Sequence, residues 1–175
     1  MRHRFAMWSA AAALRGAGCE PEPVDPCVAQ DLALSLGTGV REYRSVQEGD
    51  ATTVVYGPQG GWHIDVAGRL ENTGEAVRIA PTFTLVETGQ QFAGDHDPAL
   101  LALVDYDAGS QTGDFFGVRS VVDLDLTPDF VCPLAGQDLL MRVAVTDVET
   151  DCTVVEEIVL VAVLGAGALE ECPSE

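Results

Sequence analysis

The sequence predicts an all-β fold, an antiparallel sandwich of about eight to nine strands. Short runs rich in β-branched and aromatic residues alternate apolar and polar positions, which is the pattern of strands with one buried face. Glycine-rich turns separate these runs at short spacing. No segment of the domain has the apolar period of a long helix, so the sequence disfavours helical fold classes.

The clearest unit is a hairpin over residues 52–70. A β-branched and aromatic run at residues 54–56 stops at a turn in which proline presets φ and glycines accept positive φ: Gly57, Pro58, Gln59, Gly60 and Gly61. Alternation after the turn predicts a core-facing set, Trp62, Ile64, Val66 and Leu70, and a solvent-facing set, His63, Asp65, Ala67 and Arg69. Gly68 interrupts the apolar set and predicts a bulge or a close backbone approach.

Weaker strands flank this hairpin. The leucines at positions 32, 34 and 36 alternate with small or polar residues and predict a first strand, and residues 42–46 predict a weak second one. A turn at residues 71–75 leads to a strand over residues 77–85. Pro81 has no N–H for a ladder, so this strand must be an edge strand or bulge at that point.

Later runs complete the sandwich. Asp97 and Pro98 would suit the start of a short helix, whereas the apolar run 99–104 favours a strand, which we prefer because its surroundings are β. Strands follow over residues 118–126 and 139–148. The run 154–164 is mostly apolar on both faces and predicts a central or covered strand. The predicted core contains seven side chains: Trp62, Ile64, Val66, Phe83, Leu124, Met141 and Val143.

A sequence resemblance adds to this interpretation. The segment GPQGGWH at residues 57–63, with LGTG at residues 36–39 and the turn Glu48-Gly49-Asp50, resembles a family of uncharacterised secreted or lipid-anchored bacterial proteins, best known from myxobacteria and related predatory or social bacteria. The resemblance covers roughly residues 34–164. It implies a single immunoglobulin-like sandwich and an exported location, and it supplies no catalytic residue. Family members often carry a glycine after the strand ending at Asp147; here residues 149–152 replace it, which suggests a turn rebuilt around a disulfide.

The chain is strongly acidic. Its formal charge is −19, all nine basic residues are arginine, and three of these precede Cys19. A chain that begins at Cys19 would carry six arginines against 28 acids, a net charge of −22. Such a surface repels phosphate backbones, so the sequence excludes nucleic acid as a partner. The acids are scattered along the chain, which favours a role in solubility over a dedicated site for cations or basic partners.

The N-terminal segment has the layout of a secretory signal. Two arginines precede an apolar run over residues 5–14, and small residues precede Cys19. The segment 16–19, Gly-Ala-Gly-Cys, resembles a bacterial lipoprotein cleavage box in which the cysteine is lipidated and becomes the first residue. It departs from that pattern at Gly16, where leucine is usual, and at Arg15, which places a charge at the end of the apolar run. The alternative is an unprocessed cytoplasmic tail with a chance cysteine.

Cysteine arithmetic supports export. Lipidation of Cys19 would leave four cysteines for two disulfides. Of the three connectivities that four cysteines allow, we predict Cys132–Cys152, which closes a local loop around one strand, and Cys27–Cys172, which ties the start of the domain to its end. A zinc site is disfavoured because no cysteine pair has CxxC spacing.

Two polar groups are candidate ligand or metal sites. His63 and Asp65 share the outward face of the hairpin, and Asp95, His96 and Asp97 form a loop that, with Asp105 and Asp107, would offer oxygen ligands to Ca²⁺. The spacing of a regular calcium loop is absent, and a solvated surface explains both groups more simply. We therefore expect no cofactor, with Ca²⁺ as the alternative. No Gly-x-Ser-x-Gly nucleophile elbow is present, so we predict that the protein is not an enzyme.

The sequence therefore predicts a signal peptide at residues 1–18, a lipidated Cys19 with a spacer rich in proline and glutamate at 19–29, a sandwich domain at 30–168 and an acidic tail at 169–175. The predicted role is a non-enzymatic lipoprotein of the cell envelope or surface that binds an envelope or surface protein as its partner. It would face the periplasm or the cell exterior. The alternatives are a cation- or small-ligand-binding domain that uses residues 95–97, and a secreted enzyme or inhibitor.

Overall fold

The computed structural model describes residues 26–58, 60–94, 97–122 and 128–172, and it confirms the all-β prediction. Eleven strands form in these ranges: β1 Ala33–Thr38, β2 Arg44–Ser45, β3 Ala51–Tyr56, β4 Trp62–Glu71, β5 Ala76–Leu85, β6 Gln91–Ala93, β7 Ala99–Ala102, β8 Val104–Asp107, β9 Thr112–Val121, β10 Asp138–Asp147 and β11 Thr153–Leu164. Short helices lie between and beyond them: α1 Pro26–Gln30, α2 Pro128–Val131, a 3-10 turn at Cys132–Leu134, and α3 Ala166–Glu171. None of the described helices combines the length and apolar character needed to span a membrane.

The strands form a circuit around one core. Successive neighbours are β4, β3, β11, β10 and β5. The other edge of β4 pairs with β9, and Val122 just beyond β9 bridges to Ala93 of β6, which pairs with β5. The predicted sandwich therefore has two layers that are joined along their edges. One pair, β3 with β11, is parallel, which is possible because no hairpin joins these two strands.

Two long strands change partners halfway along their length. On one edge, β4 pairs with β3 over residues 62–64 and with β1 over residues 67–71, so the partner changes beside Asp65. In the same way β5 pairs with β6 near Phe83 and with β7 over residues 76–79. Pro81 lies between these two partners, where β5 needs no N–H for that edge. The predicted edge strand or bulge at Pro81 is therefore wrong: β5 has partners on both edges, Pro81 lies in the gap between β6 and β7, and the register shift falls between Phe83 and Thr84.

The predicted core is largely confirmed. Six of its seven side chains are buried: Trp62, Ile64, Val66, Phe83, Met141 and Val143. Leu124 lies outside the described residues. Phe115, Leu139 and Leu160 are fully buried as well and belong to the same cluster. Gly68 is both bulged and closely approached, as predicted, since the β4–β9 register shifts there and a Cβ would lie 2.5 Å from the Phe115 ring.

The local predictions have mixed outcomes. The hairpin turn forms, with hydrogen bonds from the Gly57 N–H to the Gly61 oxygen and from the Gly60 N–H to the Gly57 oxygen, and the run 99–104 is strand as preferred. Gln59 lies outside the described residues. At the chain ends, Pro26–Gln30 and Ala166–Glu171 are helical, where the sequence suggested an extended spacer and the start of a frayed tail. A disulfide adjoins each helix and orders it.

The predicted disulfide pairing is wrong. The bonds are Cys27–Cys152 and Cys132–Cys172, in place of Cys132–Cys152 and Cys27–Cys172. Cys132 precedes β10 and Cys152 follows it, and a strand of ten residues spans about 30 Å. A disulfide holds its Cα atoms only 5–6 Å apart, so two cysteines at opposite ends of one strand cannot bond. Each disulfide instead joins elements at the same end of the domain.

Candidate functional site

The outward face of β4 is covered. His63, Asp65 and Ala67, which alternation places in solvent, are 8%, 9% and 0% exposed, so that prediction is wrong for all three. Arg69, the fourth member of this set, is exposed as predicted. A neighbouring segment of the chain covers this face, and the alternation of residues within β4 cannot indicate such a cover.

The cover is the loop 39–42 between β1 and β2, which we call the roof loop. It leaves β1 on one side of β4, and Gly39 reaches β9 on the other side, where its carbonyl oxygen accepts a hydrogen bond of 2.8 Å from the Gly117 N–H. Val40 lies against Gly117, where a Cβ would approach the Val40 oxygen to 2.9 Å. Thr38 fixes the start of the crossing by donating its hydroxyl to the Asp65 backbone oxygen at 3.1 Å. The roof loop thus buries the middle of β4.

A cleft of about 590 Å³ opens between the roof loop and β3. It lies where β4 changes partner from β3 to β1, so neither strand fills the space. Its lining combines hydroxyls, guanidinium groups, carboxylates and two valines: Thr38, Gly39, Val40, Arg41, Glu42, Arg44, Thr53, Val55 and Asp65.

Asp65 is the distinctive side chain of this cleft. Its carboxylate oxygen Oδ1 is buried and has no hydrogen-bond partner among the described residues. The nearest opposite charge is Arg119 on β9, whose Nε lies 4.0 Å from Oδ1, beyond hydrogen-bond reach. An unsatisfied buried acceptor costs about 1–3 kcal/mol, so its retention requires an explanation.

His63 stands beside Asp65 as a neutral side chain at neutral pH. Its Nε2 lies 3.7 Å from Asp65 Oδ2, which is too long for a hydrogen bond. Burial lowers the pKa of His63; the Asp65 carboxylate opposes this shift and the Arg119 guanidinium reinforces it. The distance alone would suggest an ion pair, but the lowered pKa leaves the imidazole uncharged, so it does not neutralise Asp65.

The rim of the cleft carries charges of both signs. Arg44 binds Glu42 through its Nε at 2.9 Å, and both side chains are more than 60% exposed. Arg41 is also exposed on the roof loop. Three of the six arginines that follow Cys19, Arg41, Arg44 and Arg119, therefore surround Asp65. The site offers strong donors beside an unsatisfied acceptor.

The other predicted site residues do not form a cluster in the described structure. Asp95, His96 and Cys19 lie outside the described residues, and Asp97 is exposed. Asp107 serves its own turn, since it accepts hydrogen bonds from the Gly109 N–H at 2.8 Å and the Ser110 hydroxyl at 3.0 Å, and these bonds lower its pKa. Within the ranges that the structure describes, no group of three or more His, Cys, Asp or Glu side chains is arranged to hold a metal ion.

Sequence reasoning identified His63 and Asp65 but missed the residues that make the cleft. Thr38, Arg41, Arg44 and Thr53 are distant from Asp65 in sequence, and no motif links them. The one available signal is the segment LGTG at residues 36–39, whose glycines permit the tight crossing: Gly39 has a φ of 142°, and a Cβ there would meet the Glu42 oxygen.

Comparison with known proteins finds distant structural likenesses only. No protein-family model matches the chain, and no curated protein matches it. Solved structures that resemble it include the periplasmic chaperone SfaE (13% identity, TM-score 0.33, 75% of this chain and 55% of that one) and the CooA pilin subunit from enterotoxigenic Escherichia coli (15% identity, TM-score 0.33, 75% and 98%). A Bacteroides uniformis β-glucuronidase shares 10% identity at a TM-score of 0.30 over 73% of this chain and 12% of that one. This chain thus spans about half of the chaperone, and likeness at these scores does not bear on function.

Proposed function

We propose that this chain is an exported, non-enzymatic lipoprotein that serves as an interaction module of the bacterial cell envelope. The observation that carries the proposal is the pair of disulfides, which use all four cysteines after Cys19. Disulfides form and persist in oxidising compartments outside the cytoplasm. The fifth cysteine is then available for lipid attachment without leaving an unpaired thiol.

The position of the first disulfide supports anchoring at Cys19. Cys27 is bound to Cys152 in the turn after β10, and only seven residues separate it from Cys19. The eight Cα–Cα steps from Cys19 to Cys27 span at most about 29 Å. A lipid on Cys19 would therefore hold the end of the domain that contains the 147–152 turn close to the membrane. The turn at 57–61, at the opposite end of β4, would face away from it.

The non-enzymatic part of the proposal rests on chemistry. A hydrolytic triad needs a base oriented by a hydrogen-bonded acid, and the 3.7 Å separation of His63 from Asp65 does not provide that bond. The Thr38 hydroxyl is engaged with the Asp65 backbone oxygen. The site is better suited to binding than to bond cleavage.

An intact-mass measurement tests export and anchoring together. The protein, expressed with its own leader in a bacterial host, is isolated from the membrane fraction and weighed before and after reduction. We expect a chain that begins at Cys19, carries acyl mass, and gains the hydrogens of both disulfides on reduction. The Cys19→Ser variant should lose the acyl mass and leave the membrane fraction. A chain that starts at Met1 with free thiols would overturn the proposal.

A further inference from the structure

We infer that the cleft beneath the roof loop, loop 39–42, binds a saccharide, with Asp65 as the acceptor for ligand hydroxyl groups. Nine-tenths of Asp65 is buried, and it lines an open cleft of about 590 Å³. Its Oδ1 has no hydrogen-bond partner among the described residues, and the nearest guanidinium is 4.0 Å away. A ligand that donates to this carboxylate would satisfy the acceptor that the fold leaves unsatisfied.

The charges around the cleft decide the chemical class. A cationic ligand would approach Asp65 against the guanidinium groups of Arg41, Arg44 and Arg119, and an anion would meet Asp65 and Glu42. A metal ion lacks ligands, because the described residues contain no group of three suitable side chains. A neutral hydroxyl can donate to the carboxylate while its oxygen accepts from an arginine, so it suits both kinds of group at once.

The remaining lining fits a sugar ring. Thr53 adds an exposed hydroxyl on β3, and Val40 and Val55 supply apolar surface for the C–H groups of a ring. Arg41 and Arg44 stand at the rim, where a second hydroxyl would lie. The cleft thus pairs hydrogen-bonding groups with small apolar patches at the scale of one or two sugar units.

This inference deepens the proposed function, on which it rests for location only. Free sugars and the glycans of envelope polymers share the chemistry, so both are used as probes. Backbone amide NMR shifts of the folded, disulfide-bonded protein are followed on titration with methyl β-D-glucopyranoside and dextran, with D-glucuronate as the anionic rival and methylammonium as the cationic rival. We expect saturable shifts from a sugar at residues 38–42, 53–55 and 65. A response to dextran that is stronger than that to the methyl glycoside would assign the site to polymeric glycan.

Variants separate binding from folding. Asp65→Asn should weaken sugar binding at least about tenfold, the loss expected for a charge-assisted hydrogen bond, and Arg41→Gln, at an exposed position, should weaken it without changing stability. Asp114→Asn, which removes a carboxylate from another ion pair of the same sheet, should bind as the parent does. No saturable shift from either neutral sugar, equal binding by Asp65→Asn, or a response to methylammonium or glucuronate alone would overturn the inference. None of these binding results changes the intact mass of the mature protein, so the test of sugar binding and the test of lipidation fail independently.

Discussion

Asp147 connects three segments that are remote in sequence. It is fully buried at the end of β10. Its two oxygens accept hydrogen bonds from three kinds of donor. These are the backbone N–H groups of Gly74, Glu149 and Thr150, the Thr73 hydroxyl and the Gln30 side-chain amide. Through them it joins α1 and the β4–β5 turn to the turn that carries Cys152. One carboxylate therefore organises the end of the domain that we propose lies near the membrane.

These bonds make stability depend on Asp147 and on pH. Burial alone would raise the pKa of Asp147, but the bonds from Gly74, Thr150, Glu149 and Thr73 lower it overall. The pKa of Asp147 is therefore lower in the folded protein than in the unfolded chain, where it is about 3.9. The stabilisation is fully present at pH values above the unfolded pKa and is lost as the pH falls through the folded pKa. Asp147→Asn should cost about 2–4 kcal/mol at pH 7 and flatten the acid dependence, as measured by urea unfolding from neutral to acid pH.

The control for this prediction is Asp114→Asn. Asp114 also accepts hydrogen bonds, two of 2.7 and 2.8 Å from Arg69, but the arginine is half exposed to water. Its loss should cost less than about 1 kcal/mol. An Asp147→Asn protein with unchanged stability and an unchanged acid limb would show that the network does not hold this end of the fold together.

At the scale of elements, β4 sets the geometry of the molecule. It pairs with three strands, its inner face packs in the core, and its outer face lies under the roof loop. Gly68 permits the close packing of β4 against β9. A Cβ there would lie 2.5 Å from two atoms of the Phe115 ring and 2.9 Å from Leu34 Cδ1, which is closer than atoms can pack.

Gly68→Ala should therefore destabilise the fold by about 1–3 kcal/mol through overpacking, measured as the change in unfolding free energy in urea. The matched control is Gly57→Ala in the adjacent turn, where a Cβ would meet its nearest neighbours at ordinary contact distances of 3.6–3.7 Å. Gly57 also lacks the positive φ of Gly60 and Gly61, so alanine is accommodated there. Equal effects of the two substitutions would show that the Phe115 contact is not the cause.

At the scale of the whole molecule, the two disulfides join the chain at opposite ends of the sandwich. Cys27–Cys152 closes a sequence separation of 125 residues beside Asp147, and Cys132–Cys172 closes 40 residues between the 3-10 turn and the end of α3. Cys152 and Cys172 are buried, and Cys172 belongs to the core cluster, so each disulfide fastens a short helix to the packed β-structure. The domain is held at both ends by covalent bonds.

In the chain-entropy model the Cys27–Cys152 and Cys132–Cys172 disulfides contribute about 5 and about 4 kcal/mol respectively. Replacing either pair by alanine should lower the urea midpoint, and the Cys27/Cys152 double variant should lose at least as much as the other.

Connectivity is read from digestion without reduction. Trypsin leaves Cys152 and Cys172 on one peptide, since no Lys or Arg lies between them, so cleavage after glutamate is required. Linked peptides pairing Cys132 with Cys152 would contradict the structure.

Features that depend only on residues adjacent in the sequence were predictable. The turn at 57–61 and the close approach at Gly68 follow from backbone chemistry that each residue carries wherever it is placed. The disulfide pairing was also within reach, because a ten-residue strand between Cys132 and Cys152 holds them about 30 Å apart. The strand predicted over residues 139–148, which the structure places at Asp138–Asp147, is sufficient to exclude that pair.

By itself the sequence determined the β class, the main turns, the core face of strands such as β4, β5 and β10, and the acidic surface, since these depend on composition and on a period of two along the chain. Only the tertiary structure decided that His63 and Asp65 are buried, that β3 and β11 run parallel, and that a cleft forms beneath the roof loop. Each of these depends on segments distant in sequence that meet in space. Alternation reports which side of a strand a residue occupies, but whether that side meets water depends on what crosses it.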